Sequence, residues 1–502
     1  MTQPSSGAVP VVETTAGSVS GIAHHGGAAY RSVPFAAPPI GPRRFLAPQP
    51  HEPWQGVRAC AEYGPTPQRR PFAAITAVPD PSIPGDDTLS VSVFTPAAGV
   101  REAGLPVLAW VHGGAYFAGS PASPWYDGRA FSRDGVVTVV ISYRLGFDGY
   151  GWIDGAPLNR GVLDQIAALE WIRDNIRGFG GDPERVTIAG QSAGGGSVLT
   201  LLASPRAQGL FHGAISQSGA VSALGLAQAE GFGRRFADAF GIPPTLEGWR
   251  TVSEDRVLDL EREYNHVPTA VPMSATPREI VEAIRRDPVW SMDLSFAPVV
   301  DGDTVVPVPD AILAGRAGEI PLLLGANESD VVSGERGAAD GDEVVDALRD
   351  AGVTAPEVER FRAKVAGLGG QQSAKGQLLS TYSFRSQALH FAELRAESGS
   401  GGRTWLYDFV HRSTATGNAG HCDELPFVWD VLDAEGVERE LGEAPPQRLA
   451  ARMHADWVEF VRSGTLPWQP TAITGFGAHV YGGPTDHDEH AYRLEAELIG
   501  RA

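Results

Sequence analysis

The chain has 502 residues, of which 42% are hydrophobic and 20% are charged, a balance typical of a globular protein with a large core. Its formal net charge of −20 argues against a nucleic-acid partner and against docking on anionic lipid, because both require a basic face. The 61 glycines and 39 prolines indicate many tight turns without a low-complexity composition.

Membrane insertion and secretion are also disfavoured by the sequence. The longest apolar runs, such as residues 136–141, fall far short of the roughly 20 residues of a membrane span. The first residues contain neither the basic segment nor the apolar segment of a secretory leader. The two cysteines, Cys60 and Cys422, lie too far apart in the chain to suggest a disulfide framework. We therefore expect a cytoplasmic protein, with secretion after removal of a leader as the alternative.

Short β-rich segments alternate with helical segments through the first half of the chain, which is the α/β pattern. Alternating apolar residues at 89–95 predict a half-buried strand. The almost continuously apolar segments 106–111 and 136–142 predict strands buried on both faces of a parallel sheet. Apolar residues at helical spacing then predict a helix over 161–176.

The second half combines further sheet strands with two segments that are richer in charge. Strands and a C-terminal helix are predicted at 213–217, 321–325, 404–409 and 453–462. The charged segments, 225–293 and 340–394, carry helical patterns and lie between sheet strands. We interpret them as helical insertions that form a cap within a single domain over 1–502, because nothing in the chain resembles an interdomain linker.

The main chemical signal is the pentapeptide Gly190-Gln191-Ser192-Ala193-Gly194. It lies between a strand predicted at 185–189 and a helix predicted at 193–203, which is the placement that a nucleophile elbow requires. The glycines permit a sharp turn that exposes the serine oxygen, and a helix N-terminus favours developing negative charge. The pattern predicts Ser192 as a nucleophile, and a structural turn with a bystander serine is the alternative.

An attacking serine needs backbone N–H groups to hold the oxyanion that forms. Residues 112–116, with the sequence HGGAY, directly follow the first strand predicted to be buried on both faces. They match the glycine-rich loop that supplies such donors. We expect an oxyanion hole built from the N–H groups of Gly114, Ala115 and Ala193, the last being the residue after the nucleophile. An ordinary β-turn is the alternative for this loop.

These two loops belong to a larger set of segments that resembles the type B carboxylesterases, the family of bacterial para-nitrobenzyl esterases and cholinesterases. The resembling segments span most of the chain and lie at 30–45, 94–96, 142–146, 159–175, 179–196, 210–219, 325–330 and 420–428. The resemblance weakens across the two charged segments. It implies an α/β-hydrolase fold, with a mostly parallel central sheet flanked by helices and helical insertions forming a cap over the active site.

Carried over residue by residue, the resemblance implies a catalytic triad of Ser192, Asp330 and His421, in the nucleophile–acid–base order of α/β-hydrolases. The family usually has Glu followed by Gly at the acid position, whereas this chain has Asp330 followed by Val331. The shorter side chain must then lie closer to the histidine. Glu328 is the rival acid, and helix capping is an alternative role for Asp330.

Several supporting residues also follow from the resemblance. It implies that Ser218 lies near the acid of the triad. It further implies two structural ion pairs, one between Arg44 and Asp86 and the other between Arg144 and Asp164.

Other residues receive structural interpretations. Cys422 beside His421 is expected to be a small packing residue rather than a second nucleophile. The polar segment 486–490, with the sequence DHDEH, is expected to be solvated surface rather than a metal site. No motif for a cofactor appears, so we expect neither a cofactor nor a metal.

Together these inferences predict a serine carboxylesterase that hydrolyses short or medium acyl or aryl esters through an acyl-enzyme intermediate. A specialised hydrolase of a bulky ester, carbamate or amide is the alternative, and a catalytically inactive esterase-like binding module is a remote one. The expected partner is a small-molecule ester, with no nucleic acid and no membrane. Because no heptad pattern is visible, a monomer or small homo-oligomer is expected.

Overall fold

The computed structural model describes residues 9–70, 76–264, 275–289, 294–332, 338–368 and 372–500. The structure contains an eleven-stranded sheet, a three-stranded sheet and a two-stranded sheet among the described residues. The strands are β1 (Val12–Glu13), β2 (Ser18–Ser20), β3 (Ile22–His24), β4 (Gly27–Pro34), β5 (Val57–Ala59), β6 (Ser90–Thr95), β7 (Leu105–Val111), β8 (Val137–Ile141), β9 (Gly181–Gln191), β10 (Gly213–Gln217), β11 (Leu224–Gly225), β12 (Val299–Val300), β13 (Leu322–Asn327), β14 (Thr404–Phe409), β15 (Ala478–Tyr481) and β16 (His487–Asp488).

Helices connect most of the sheet strands. The α-helices are α1 (Arg129–Arg133), α2 (Gly146–Tyr150), α3 (Arg160–Asn175), α4 (Ala193–Ala203), α5 (Leu226–Ala239), α6 (Leu246–Arg250), α7 (Glu254–Tyr264), α8 (Pro277–Arg286), α9 (Val308–Leu313), α10 (Ala338–Asp350), α11 (Ala355–Gly367), α12 (Ala374–Ser380), α13 (Ser386–Glu397), α14 (Leu425–Val428), α15 (Val437–Leu441), α16 (Gln447–Ser463), α17 (Thr471–Thr474) and α18 (Arg493–Leu498). A π-helical turn, Thr381–Arg385, joins α12 to α13. Across the described ranges, no helix combines the length and the apolar character needed to cross a bilayer.

The large sheet has the order β16–β15–β14–β13–β10–β9–β7–β8–β6–β4–β3. Neighbouring strands from β15 to β8 run parallel, and the strands at both edges run antiparallel. The prediction of a mostly parallel sheet flanked by helices is therefore confirmed. The carboxyl ends of β7, β9, β10, β13 and β14 consequently meet at one edge of the sheet.

The two faces of the sheet bury separate hydrophobic cores. In β7, Val107, Ala109 and Val111 belong to the core shared with α3 and α4. Leu108 and Trp110 belong to the core on the opposite face, which is shared with α16. This alternation along a strand is the reason that β7 is continuously apolar, because both of its faces are covered by helices.

The prediction that residues 89–95 form a half-buried strand is wrong, since every residue of β6 is buried. The apolar residues alternate as expected, but the intervening serines are also enclosed. The Ser92 Oγ accepts a hydrogen bond of 3.2 Å from the Ser32 N–H, and the Ser90 carbonyl accepts one of 3.1 Å from the Ser142 N–H. These serines, which the alternating pattern predicted to face solvent, are thus covered by protein and hydrogen-bonded to protein groups.

The described parts of both predicted insertions contain helices. Some residues of these segments lie outside the described ranges, namely 265–274 and 290–293 of the first segment and 369–371 of the second. Residues 1–8, for which the sequence predicts no leader, also lie outside the described ranges. In the first segment, α8 begins at a capping box that Thr276 and Glu279 form. The helices α8, α10, α11 and α12 share a hydrophobic cluster separate from the two sheet cores. The interpretation of these segments as a cap stays a prediction.

One of the two expected ion pairs is confirmed and the other is wrong. Arg144 and Asp164 are joined by hydrogen bonds of 2.8 and 2.7 Å in a buried position. Arg44 pairs with Asp148 rather than with Asp86, through hydrogen bonds of 2.8 and 3.0 Å. The reason is that α2 brings Asp148 against the guanidinium, a long-range contact that the local sequence around Arg44 does not reveal.

The packing of α7 against α2 contains an unusual carboxyl group. The Glu261 side chain accepts a hydrogen bond of 2.7 Å from the Phe147 N–H. Burial raises the pKa of Glu261 to about 8; the Phe147 N–H opposes this shift and the neighbouring Asp148 adds to it. The folded protein therefore holds a proton on Glu261 at pH values where the unfolded chain has lost it.

Replacing Glu261 by Gln is expected to stabilise the protein in a pH-dependent manner. Between the ordinary glutamate pKa of about 4.5 and about 8, the unfolded wild-type chain releases a proton that the folded state retains, so wild-type stability falls as pH rises. Glutamine keeps the acceptor for the Phe147 N–H without this proton. The gain in unfolding temperature of Glu261→Gln over wild type should be absent near pH 4.5 and grow up to about pH 8.

Glu263→Gln, on an exposed position of the same helix, serves as the control and should show no such growth. Thermal unfolding followed by circular dichroism at a series of pH values measures both variants. A gain for Glu261→Gln that does not change with pH would contradict the interpretation.

Candidate active site

Ser192 lies at the turn between β9 and α4, the strand–turn–helix arrangement predicted from the sequence. Its backbone has φ 59° and ψ −126°, a strained conformation for a residue with a side chain. A Cβ on Gly190 would lie 2.4 Å from the backbone of Gly194, and a Cβ on Gly194 would lie 2.1 Å from the Val111 carbonyl oxygen. Glycine is therefore required at both positions, because the turn packs directly against its own helix and against β7.

The loop that follows β7 lies beside Ser192. A Cβ on Gly113 would lie 3.1 Å from the Ser192 Cβ, and Gly114 and Ala115 both have positive φ values. Among the described residues, no protein group accepts a hydrogen bond from the N–H of Gly114, Ala115 or Ala193. These three donors are thus free to bind an oxygen of a ligand next to the serine.

His112 at the start of this loop has a structural environment. It is fully buried, its Nδ1 lies 2.8 Å from the Gly113 carbonyl oxygen, and its ring stacks on Tyr143 at 4.6 Å between centroids. Burial lowers the pKa of His112 to about 4. An enclosed histidine of this kind supports the loop and is not placed to exchange protons with a substrate.

The histidine and the acid that the family resemblance implies are in direct contact. Asp330 follows β13 and His421 follows β14, and their Oδ1 and Nδ1 atoms lie 2.6 Å apart. The Asp330 side chain is fully buried, and its Oδ2 accepts hydrogen bonds of 3.1 Å from Ser218 and 2.9 Å from the Asn327 N–H. The expectation that Ser218 lies near the acid is therefore confirmed. The contact fixes a donor proton on Nδ1 and leaves Nε2 as the free lone pair.

Glu328, the rival acid, is engaged elsewhere. Its carboxylate accepts a 2.9 Å hydrogen bond from the Arg412 Nε and lies 3.8 Å from the Lys364 Nζ. Burial raises its pKa, but the two cations outweigh this effect and hold the pKa below its ordinary value. Glu328 is thus a structural ion-pair partner, and the structure brings Asp330 to the histidine instead.

The contact between serine and histidine is not closed. Within the described part of the chain, the Ser192 Oγ has no hydrogen bond to His421, whose nearest polar neighbour besides Asp330 is the Gln191 Nε2 at 3.2 Å. Both residues nevertheless lie on segments that follow the carboxyl ends of parallel strands, β9 and β14, which are separated by β10 and β13 in the sheet order. Such bonds are often long without substrate and tighten when it binds.

Sequence reasoning missed the aromatic side chain that contacts the histidine. Phe384 stacks on the His421 ring, with centroids 4.6 Å apart and an interplanar angle of 30°. It lies on the π-helical turn Thr381–Arg385, where the wider turn interrupts the regular spacing of α12 and α13. The turn contains neither Gly nor Pro, so the sequence carries no local signal that would have revealed it.

A buried polar network behind the histidine was also missed. The Glu424 carboxylate accepts hydrogen bonds of 2.7 Å from the Asn327 Nδ2 and 3.1 Å from the Gln217 Nε2. The same Asn327 nitrogen donates to the Gly420 carbonyl oxygen at 2.6 Å. Burial, together with the nearby Asp330, raises the pKa of Glu424 to about 7. The network ties the ends of β10 and β13 to the loop that carries the histidine.

Neither the second cysteine nor the polar tail shows a site of its own. Burial raises the pKa of the Cys422 thiol above its ordinary value, which disfavours the nucleophilic thiolate form. Asp486 in the tail pairs with Arg452. Among the described residues, no group of three or more His, Cys, Asp or Glu side chains is arranged to hold a metal ion.

The chain matches a known protein family and several of its members. The profile of the carboxylesterase family matches residues 8–475. The chain is 33% identical over 482 residues to a para-nitrobenzyl esterase of Bacillus subtilis, covering 90% of both chains. It is 29% identical over 562 residues to a pyrethroid hydrolase of Rattus norvegicus, covering 99% of this chain and 88% of the relative.

Solved structures of such esterases share the fold. A para-nitrobenzyl esterase structure superposes with a TM-score of 0.78 at 27% identity, covering 97% of this chain and 99% of the other. A carboxylesterase of Geobacillus stearothermophilus, solved at pH 6.2, gives a TM-score of 0.75 at 29% identity over the same shares. The expected α/β-hydrolase fold is thereby confirmed.

The two candidate acids, Asp330 and Glu328, should respond differently to neutralisation. Asp330→Asn is expected to lower kcat for p-nitrophenyl butyrate by about 10³- to 10⁴-fold, because an amide cannot hold the imidazole in the required tautomer. Glu328→Gln removes a charge of the same sign two residues away and should leave kcat within a few-fold. Thermal unfolding verifies that both variants are folded. A larger loss in Glu328→Gln than in Asp330→Asn would identify Glu328 as the acid.

Proposed function

The chain belongs to the carboxylesterase family and is a carboxylic ester hydrolase, and we propose that Ser192, His421 and Asp330 are its catalytic triad. The proposal rests chiefly on one observation, the 2.6 Å contact between the His421 Nδ1 and the Asp330 Oδ1 at the sheet edge where the elbow presents Ser192. Ser192 is the nucleophile, His421 the general base, and Asp330 the group that orients the base.

The reaction begins when the Ser192 Oγ attacks the ester carbonyl carbon and the His421 Nε2 takes the hydroxyl proton. Asp330 accepts from the Nδ1–H throughout and stabilises the imidazolium that forms. The carbonyl oxygen becomes an oxyanion, which the N–H groups of Gly114, Ala115 and Ala193 bind. Each such donor contributes on the order of 3 kcal/mol of transition-state stabilisation.

Collapse of this intermediate releases the alcohol, which takes the proton from His421, and leaves an acyl-enzyme on Ser192. A water molecule then attacks the acyl carbon while His421 accepts its proton. The second oxyanion collapses to the carboxylic acid while the departing Ser192 Oγ takes the proton back from His421, and the acid then ionises to the carboxylate. No step requires a metal or a cofactor.

The substrates that we propose are short or medium acyl and aryl esters. Support for an ester with an aromatic alcohol part comes from the relative named as a para-nitrobenzyl esterase, which matches nearly the full length of the chain. A specialised enzyme for a bulky ester, carbamate or amide is the second candidate. It is favoured by the equally extensive match to a protein named as a pyrethroid hydrolase. The two substrate classes require different amounts of space between the proposed cap segments and Ser192.

We also propose a cytoplasmic, bacterial enzyme that is a monomer or small homo-oligomer. The two cysteines support a reducing compartment, because both lie in described segments and both are free thiols. The match to the Bacillus subtilis relative supports the source.

Substitution of the nucleophile tests the enzyme proposal directly. Ser192→Ala is expected to lower kcat for p-nitrophenyl butyrate by about 10⁵-fold or more, because no other hydroxyl occupies the elbow. Ser463→Ala, at the exposed end of α16, is the control and should keep wild-type activity. Phenylmethylsulfonyl fluoride should inactivate the wild type and add one sulfonyl group to the peptide that contains Ser192, as read by mass spectrometry. A wild type no faster than Ser192→Ala, or a label on another residue, would end the proposal.

A graded substrate panel separates the two substrate classes. If the enzyme prefers short or medium acyl esters, kcat/KM for p-nitrophenyl esters should peak between acyl chains of about four and eight carbons and fall for longer chains, since each misfitting methylene costs about 1 kcal/mol or more in a pocket of fixed size. Bulky-alcohol esters and a carbamate form the second arm of the panel. Higher kcat/KM values in that second arm would favour the specialised hydrolase.

A further inference from the structure

Gln191, the residue before the proposed nucleophile, contacts the proposed base. Its side chain is almost completely buried, and its Nε2 lies 3.2 Å from the Nε2 and 3.4 Å from the Nδ1 of His421. Its Oε1 lies on the side of the oxyanion loop, 3.2 Å from the position that a Cβ on Gly113 would take. The β9–β10 ladder, in which Gln191 is opposite Gln217, holds its backbone in place. An uncharged amide therefore fills the space between the base and the oxyanion loop.

The two distances show how the amide meets the imidazole. The two ring nitrogens flank Cε1, and the Gln191 Nε2 is almost equally distant from both. If the Gln191 Nε2 lay in the plane of the ring at these distances, it would overlap Cε1. The Gln191 Nε2 therefore lies over the face of the ring rather than in line with either lone pair. An N–H dipole over a ring face is attracted by the π electrons of a neutral ring and repelled by a positively charged one.

The charged groups that act on His421 are negative. Asp330 contacts it from the loop after β13, and Glu424 on its own loop interacts with it electrostatically. From the π-helical turn the ring meets the uncharged Phe384, and from the end of β9 it meets the uncharged Gln191. Within the described residues, Gln191 is thus the one polar contact of the ring that opposes a positive charge on it.

We propose that Gln191 is a positioning residue that keeps His421 neutral between turnovers and thereby sets the low-pH limit of ester hydrolysis. The amide holds the ring by a contact that the neutral form accepts and the protonated form does not. A neutral imidazole is the form that can take the Ser192 proton, so the contact extends activity toward acidic pH. The inference rests on the proposed role of His421 as the base.

The pH profile of Gln191→Glu tests this inference. A carboxylate in place of the amide would attract the imidazolium, so the midpoint of the acidic limb of kcat/KM for p-nitrophenyl butyrate should rise by about 1 pH unit. Below the wild-type midpoint, kcat/KM should consequently be about tenfold lower than in the wild type, while the alkaline plateau stays within a few-fold. Gln191→Met, which removes the dipole without adding a charge, should move the midpoint in the same direction by a smaller amount.

Gln49→Glu provides the matched control, because it adds the same charge at an exposed loop position and should leave the midpoint in place. An unmoved midpoint in Gln191→Glu would overturn the inference, as would a loss of kcat equal at all pH values, which a purely structural role predicts. If Gln191→Glu does not fold, Gln191→Met decides, and a midpoint at or below that of the wild type overturns the inference. Failure of the triad proposal is seen separately, as retained activity in Ser192→Ala.

Discussion

The parallel register of the central strands is the constraint on which the site depends. Hydrogen bonds between β7, β9, β10, β13 and β14 hold their carboxyl ends at one edge of the sheet. The loops that leave this edge carry the oxyanion donors, the serine, the acid and the histidine, which are far apart in the chain. Because these loops leave strands of one sheet on the same side, the positions of the reacting groups follow from backbone pairing that is buried on both faces.

Behind this edge, buried polar groups hold the histidine loop to the strands. Asn327 bridges the carboxylate of Glu424 and the backbone of Gly420, while its own N–H supports Asp330. These hydrogen bonds join the histidine loop to the ends of the strands, which leaves little freedom for the imidazole to shift. Phe384 and Gln191 contact the imidazole ring from outside this network and restrict its orientation further. The base is therefore held by more groups than the acid of the triad.

The success of sequence reasoning varied with the range of the contact. The strands β6 to β10, β13 and β14 and the helix after Ser192 were predicted, because apolar periodicity and glycine spacing are local properties, but β9 extends beyond the predicted 185–189 at both ends. The predicted ion-pair partner of Arg44 was wrong, and so was the prediction that β6 is half-buried. Both errors concern which distant segment covers a side chain. The choice between Glu328 and Asp330 had to stay open for the same reason, since it depends on the contact of Asp330 with His421 and on the ion pairs of Glu328 with Arg412 and Lys364.

By itself, the sequence determined the chemistry that neighbours along the chain create: the strained serine turn between Gly190 and Gly194, and the glycine-rich loop that directly follows a buried strand. Only the tertiary structure decided which carboxylate meets His421 and which side chains touch its ring. The physical reason is that these contacts join β9, the loops after β13 and β14, and a π-helical turn. Their relative positions follow from sheet register and helix packing, and residue spacing along the chain does not encode them.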